Sequence, residues 1–280
     1  MNAVKQIIKN VLPPPLLQQA RIMQARVDLM GTPRQTFNTT PLRADINQDF
    51  LNTLFHDQAR QESWEQTLEK ITAVYGKTTA MGGVNPGDRR ALYYLVHGLK
   101  PQNLLEVGTH IGASTVFVAE ALKTISPQAR MTTVDILDVN DPTGPWYQHG
   151  LMMAPRDYLE KLGSKDRVTF KATPSATFLR NTTEKFDFIF LDGDHGSRTV
   201  YEEVSLALEK LSANGVILLH DYYPDARAIF KDGNIIPGPF MALDRIMREN
   251  KGISVMPLGD LPWRTKNGLN TTSLALVTRK

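Results

Sequence analysis

With 280 residues, 41% of them hydrophobic, the chain can bury one large core, and its length allows one or two domains. The absence of cysteine excludes disulfides, zinc-thiolate sites and thiol nucleophiles, which suits a cytoplasmic protein. A formal charge of +3, from 32 basic and 29 acidic residues scattered along the chain, forms no basic face interleaved with aromatics and argues against nucleic-acid binding. No apolar run reaches the roughly twenty residues that span a bilayer, and the N-terminus lacks the order of a secretory leader, so neither is expected.

Residues 2–12 put Val4, Ile7, Ile8, Val11 and Leu12 on one helical face, and Pro13 to Pro15 end that pattern. Such a helix serves a membrane surface or a partner, or packs on the domain or a second subunit; short amphipathic helices usually find protein. Leu16 to Met30 reads as a second helix, and Gly31 to Leu42 as an irregular polar connection. Phe50 to Tyr75 has helical spacing, with Phe50, Leu54, Trp64, Leu68, Ile71 and Val74 as expected buried positions. Residues 1–80 are therefore expected to form a helical extension that provides a homo-oligomer face or closes a pocket, ahead of one domain over 81–280. Gly82 to Gly87 marks a mobile loop or boundary, and Asp88 reads as the cap of a helix that reaches Leu99.

In NLLEVGTHIGAST, residues 103–115, an apolar strand breaks at a glycine turn and a small-residue helix begins. Leu104, Leu105 and Val107 read as a buried parallel strand with Glu106 near its carboxyl end. Gly108 and Gly112 let the backbone come close to a ligand, while the amides opening the helix, with Ser114 and Thr115, can face an anionic group. The spacing Gly-x-x-x-Gly misses the dinucleotide fingerprint. A second strand, Met131 to Val134, ends in Asp135, where a carboxylate can accept both hydroxyls of a ribose. Further strands read at 168–172, 186–192, 216–220, 254–258 and 273–278, alternating with helices as a doubly wound, mostly parallel sheet requires.

The run EVGTHIGAS followed by Asp135 resembles the first two motifs of class I S-adenosylmethionine-dependent methyltransferases, especially small-molecule O-methyltransferases of the catechol and caffeoyl-CoA type. The resemblance covers about residues 86–280. It implies a seven-stranded Rossmann-like sheet with the last strand antiparallel. It also implies that S-adenosylmethionine is held by Glu106, Gly108, Thr109, Gly112, Ser114, Asp135 and Asp192, with Thr173 and Ser175 near the adenine. In the resembling enzymes the segment before the first strand often covers the cofactor, which here is Met81 to Asp88.

Between Ile136 and Tyr158 the chain is irregular and longer than a compact fold prefers. It is either a substrate lid, with Trp146, Tyr147, His149, Met152 and Met153 against an organic acceptor, or a loop whose aromatics plug the surface. The stretch DFIFLDGDH, residues 187–195, then delivers Asp192, Asp194 and His195 onto the loop at a strand's carboxyl end, and GVILLHDYY delivers His220 and Asp221 likewise. Singly, Asp192 could cap a helix, His195 could sit on the surface and His220 could be a satisfied core residue. Together with Glu106 and Asp135 they form a constellation whose negative charge needs a cation, either a divalent metal or a sulfonium.

FLDGDH followed by a strand ending HDYY resembles the methyltransferase group that includes macrocin and novobiocin-type O-methyltransferases. Several relatives hold Mg²⁺ with an aspartate after the fourth strand and two polar residues after the fifth, which implies Asp192, His220 and Asp221. Histidine where an acidic residue is common suits a softer ion such as Mn²⁺. The implied reaction is methyl transfer to a hydroxyl of a sugar, glycan precursor or secondary metabolite, with Asp194 as first candidate for the base and His195 as second. The rivals are a nicotinamide-dependent dehydrogenase, disfavoured by the missing third glycine and the lack of a Tyr-x-x-x-Lys pair, and a binding or scaffold module without turnover.

Overall fold

The computed structural model describes residues 14–76 and 83–280; the helix expected over 2–12 and the Met81–Gly82 part of the glycine-rich loop lie outside them. Seven strands form one sheet: β1 (Asn103–Val107), β2 (Arg130–Asp135), β3 (Val168–Ala172), β4 (Phe186–Leu191), β5 (Leu211–Leu219), β6 (Ile253–Pro257) and β7 (Ala275–Arg279). Their order is β3-β2-β1-β4-β5-β7-β6. β1 to β5 pair in parallel, and β7 is inserted antiparallel between β5 and β6. The sheet is thus the mostly parallel, doubly wound one expected, with its ligand-binding edge at the carboxyl ends of β1, β2, β4 and β5.

The strands are apolar on both faces because both faces are covered. Leu104, Phe188, Phe190, Val216 and Leu218 point into one core, and Leu105, Ile189, Leu191, Ile217 and Leu219 into the other. The first core is closed by α2 (Gln48–Phe55), α3 (Gln58–Tyr75), α4 (Pro86–Leu99), α5 (Thr115–Ile125) and α7 (Pro155–Leu162). The second is closed by α1 (Pro14–Met30), α9 (Ser197–Lys210) and α10 (Pro237–Glu249), with Leu179 of α8 (Ser175–Asn181). Residues 14–76 therefore contribute to both cores of the sheet.

Three local features differ from the sequence reading, the first two for a capping reason. The helical pattern over 50–75 is two helices, because the Asp57 side chain accepts from the Arg60 amide at 2.8 Å and starts a new helix there. α4 begins at Pro86 with Asn85 as its cap, its Oδ1 accepting from Gly87 and Asp88 amides at 3.0 and 3.1 Å. Asp88 is therefore inside the helix, fully buried, and free for another role. The long connection after β2 holds a single helical turn, α6 (Pro145–Gln148), before α7 begins.

Candidate active site

The glycine turn is built from beneath. Glu106 is fully buried and accepts three hydroxyl hydrogen bonds of 2.6 Å, from Ser114, Thr115 and Thr133. Thr109 and Thr133 hydroxyls meet at 2.6 Å. Burial pushes the Glu106 carboxyl up to about 7, against the pull of those three donors. Glu106, Thr109 and Ser114 thus tie β1, β2 and the start of α5 together below the turn, and they are outside the lining of the adjoining cavity.

Gly108 takes φ +96°, and a Cβ there would lie 2.2 Å from the Asp192 carbonyl oxygen, so the close approach it allows is that of the β4 end. Gly112, at φ +78°, similarly makes room for Pro155 at the head of α7. Asp135 ends β2 with Oδ2 accepting from the His110 amide at 2.8 Å and Oδ1 from the Leu137 amide at 3.0 Å. Each oxygen keeps acceptor capacity, and Asp135 faces a cavity of about 680 Å³. Gly108, Ser175, Asp192, Asp194, His195 and Asp221 line the same cavity, whereas Thr173 meets Asp135 only through its backbone amide, at 2.8 Å.

Across the cavity, β4 and β5 bring their terminal residues together. His220 Nδ1 lies 2.9 Å from Asp192 Oδ1 and 3.6 Å from Asp221 Oδ1, while its Nε2 lies 3.1 Å from Asp88 Oδ2. Carboxylates only accept, so both ring nitrogens donate and the imidazole is a cation. Burial pulls its pKa down, but Asp192, Asp88 and Asp221 outweigh burial and hold it well above its ordinary value. Asp88 is itself anchored by the Thr272 hydroxyl and the Asn85 amide, both at 2.6 Å.

The atoms that converge at the cavity differ from the set implied by resemblance, with His195 in place of His220. One oxygen of Asp192, one of Asp221 and a His195 nitrogen lie within 4.8 Å of one another, with His195 Nε2 3.3 Å from Asp221 Oδ2. Asp221 adopts φ +56°, a left-handed conformation that aspartate tolerates. Asp194 is exposed, and its two oxygens accept from the Gly196 amide at 3.1 Å and the Thr199 hydroxyl at 2.7 Å, closing the turn into α9.

Sequence reasoning passed over three residues of this site: His110, Glu203 and Asp88. His110 sits inside the glycine turn at φ +49°, lines the cavity and meets the exposed His149 edge-on at 4.8 Å. Burial, then His149, lower its pKa. Of the suggested lid residues, Trp146 donates to the Asp141 carbonyl at 2.8 Å, Tyr147 and Met152 are exposed, and Met153 packs on the first core. None of these, nor His149, lines the cavity.

Residues 105–222 match a family model described as a methyltransferase domain. An O-methyltransferase of Aspergillus hancockii, hkm8, is 29% identical over 122 residues, which are 44% of this chain and 43% of that protein. The chain thus matches less than half the length of this curated relative. The O-methyltransferase TomG of Streptomyces achromogenes, involved in tomaymycin synthesis and solved with S-adenosylmethionine, shares the fold at TM-score 0.51 and 15% identity over 80% of this chain and 91% of that one. An O-methyltransferase of Bacillus cereus, solved with S-adenosylhomocysteine, does so at TM-score 0.52 and 18% identity over 92% of this chain and 97% of that one. The sheet order with its antiparallel β7, the glycine turn beside Asp135 and these matches agree: residues 105–222 are similar to methyltransferase domains, and the chain shares its fold with solved O-methyltransferases.

Proposed function

We propose that the protein is a cytoplasmic S-adenosylmethionine-dependent O-methyltransferase that acts on a hydroxyl of a small molecule such as a sugar, glycan precursor or secondary metabolite. The observation that carries this reading is the shared cavity: Asp135 opens into the space that also contains Asp192, His195 and Asp221. Its volume, about 680 Å³, is that of a small-molecule site. The residues fit the ligand, since both Asp135 oxygens have one backbone donor and room for a ribose hydroxyl. They also fit a divalent ion, because Asp192 and Asp221 offer oxygen donors, and such ions are often held by one or two carboxylates with water completing the shell.

When bound, the sulfonium supplies a methyl group on a good leaving group, and a divalent ion lowers the pKa of a hydroxyl that touches it. Asp135 would fix the ribose, and Gly108 lets the end of β4, with Asp192, come close to the glycine turn. Asp192 and Asp221 would hold such an ion. His195 would remove the acceptor proton onto Nδ1, the ring nitrogen that does not face Asp221, as the oxygen–carbon bond forms and the carbon–sulfur bond breaks. Asp221 Oδ2, 3.3 Å from Nε2, accepts from that nitrogen, orients the imidazole and balances the charge it gains. Asp194 is less suited as base, because both its oxygens already close the turn into α9.

Assembly through the N-terminal helices is supported by α1, where Leu16, Ala20, Met23, Val27 and Met30 form an exposed apolar stripe at spacings of 4, 3, 4 and 3 residues. No helix among the described residues is long and apolar enough to cross a membrane.

Calorimetric titration with S-adenosylhomocysteine, with and without Mn²⁺, tests the reading directly. Micromolar binding that disappears in Asp135→Ala and a metal site that disappears in Asp192→Ala are expected. Failure of the wild-type protein to bind the nucleoside would sink it.

A further inference from the structure

The cavity has a second acidic wall that the proposed chemistry leaves unused. Glu203, on α9, is 2% exposed, yet it lines the cavity beside Ser175 and Gly193. Its Oε1 accepts a hydrogen bond from the Ser175 hydroxyl. Among the described residues Oε2 has no hydrogen-bond partner, and Glu203 has no cation near it, its charged neighbour being Asp194. Burial, partly offset by Ser175, pushes the carboxyl up to about 7. Gly193 lies against the same carboxyl, its Cβ position 3.6 Å from Oε1, at van der Waals distance.

A carboxyl oxygen that opens into the cavity without a protein partner is an acceptor that a ligand's donor can take up. The position of Glu203 says which part of a ligand can bring one. Asp135 pairs with Ala172 in the β2–β3 ladder, and Ser175 follows three residues later, so the Ser175–Glu203 wall lies on the β3 side of Asp135. Asp192 and Asp221 lie at the ends of β4 and β5, on the other side. A sulfonium is drawn to those carboxylates. With the ribose on Asp135, the base then falls against Ser175 and Glu203.

We propose that Glu203 selects a 6-aminopurine, its free oxygen accepting from the exocyclic amino group while Ser175 fixes the other oxygen. The inference rests on the S-adenosylmethionine reading of the site and deepens it. It assigns cofactor specificity to a residue on the helix after β4.

The test compares S-adenosylhomocysteine with S-inosylhomocysteine, which replaces the amino group by a carbonyl oxygen, by calorimetry on the wild-type protein and Glu203→Gln. The wild type is expected to prefer the adenosyl compound by about tenfold or more, since a site built to hydrogen-bond a group rejects the analogue lacking it. Glu203→Gln is expected to bind the adenosyl compound about tenfold more weakly and to lose the preference, because an amide can donate to the inosyl carbonyl. Equal affinity of the wild type for both compounds, which needs no variant, overturns the assignment to Glu203 alone. So does an unchanged preference in Glu203→Gln. Binding of neither compound overturns the cofactor reading itself and this inference with it.

Discussion

His220 Nε2 lies 3.1 Å from Asp88 Oδ2, joining the end of β5 to a fully buried carboxylate on the helix that precedes the sheet. With Nδ1 on Asp192, the imidazolium sits between two carboxylates and holds the cavity-facing one in place from behind. Asp88 therefore acts through His220, which lines the cavity, on the position of Asp192, without itself lining the cavity.

Asp88→Asn removes one of those charges and leaves the cation short of a partner. A loss of roughly 3 kcal/mol in unfolding free energy is expected, as for other broken buried ion pairs. Its pH dependence has a defined sign. His220 is raised in the folded state, so the stabilisation is fully present below its ordinary value of 6.5 and is lost as pH rises through the elevated one. Urea denaturation should show the gap between wild type and Asp88→Asn largest at pH 6 and shrinking on the alkaline side.

Glu203 gives the opposite test of burial. Its carboxyl moves from 4.5 to about 7 in the folded apoprotein, a penalty for ionisation of about 3 kcal/mol at 1.36 kcal/mol per pH unit. The penalty is absent below 4.5, where both states are protonated, and complete above about 7. Glu203→Gln should gain stability relative to wild type between pH 4.5 and 7.5 and stay level beyond. A gain that is the same at both ends would show that the ionised form is not penalised.

His195 is assigned to proton removal and not to metal binding, and the two roles separate in measurement. His195→Ala should leave Mn²⁺ affinity within about threefold while abolishing methyl transfer to any acceptor found. A tenfold loss of affinity would instead make the imidazole a third ligand of the ion beside Asp192 and Asp221.

Gly108→Ala should be among the most costly single changes at the site. Alanine at φ +96° is strained, and its Cβ would meet the Asp192 carbonyl at 2.2 Å. Thermal unfolding should register a loss of more than about 2 kcal/mol. The loss of nucleoside binding should follow from displacement of the β4 end.

The strands were legible because LLEV, FDFIFL and GVILL are short, mostly apolar runs in which apolar residues stand side by side, as a sheet covered on both faces requires. Carboxylates at the ends of such strands were legible for the same reason: a charge after a buried run marks where the chain reaches water. What chain reading could not supply is pairing at a distance. Asp88 and His220 are 132 residues apart, and next to Pro86 an aspartate reads as a helix cap. Glu203 lies within YEEVSLALEK, where its neighbour Glu202 looks identical and helical position alone decides that one is half-buried and the other buried. The burial of Glu106 depends on Thr133, which a neighbouring strand supplies.

The insertion of β7 between β5 and β6 also sets an order of assembly. β6 is made before β7 but touches only β7 within the sheet. Until residues 275–279 emerge, β6 has no strand to join, and the edge of β5 stays open. Completion of the sheet therefore waits for β7, and a chain cut before Ala275 would present two unpaired edges to its neighbours.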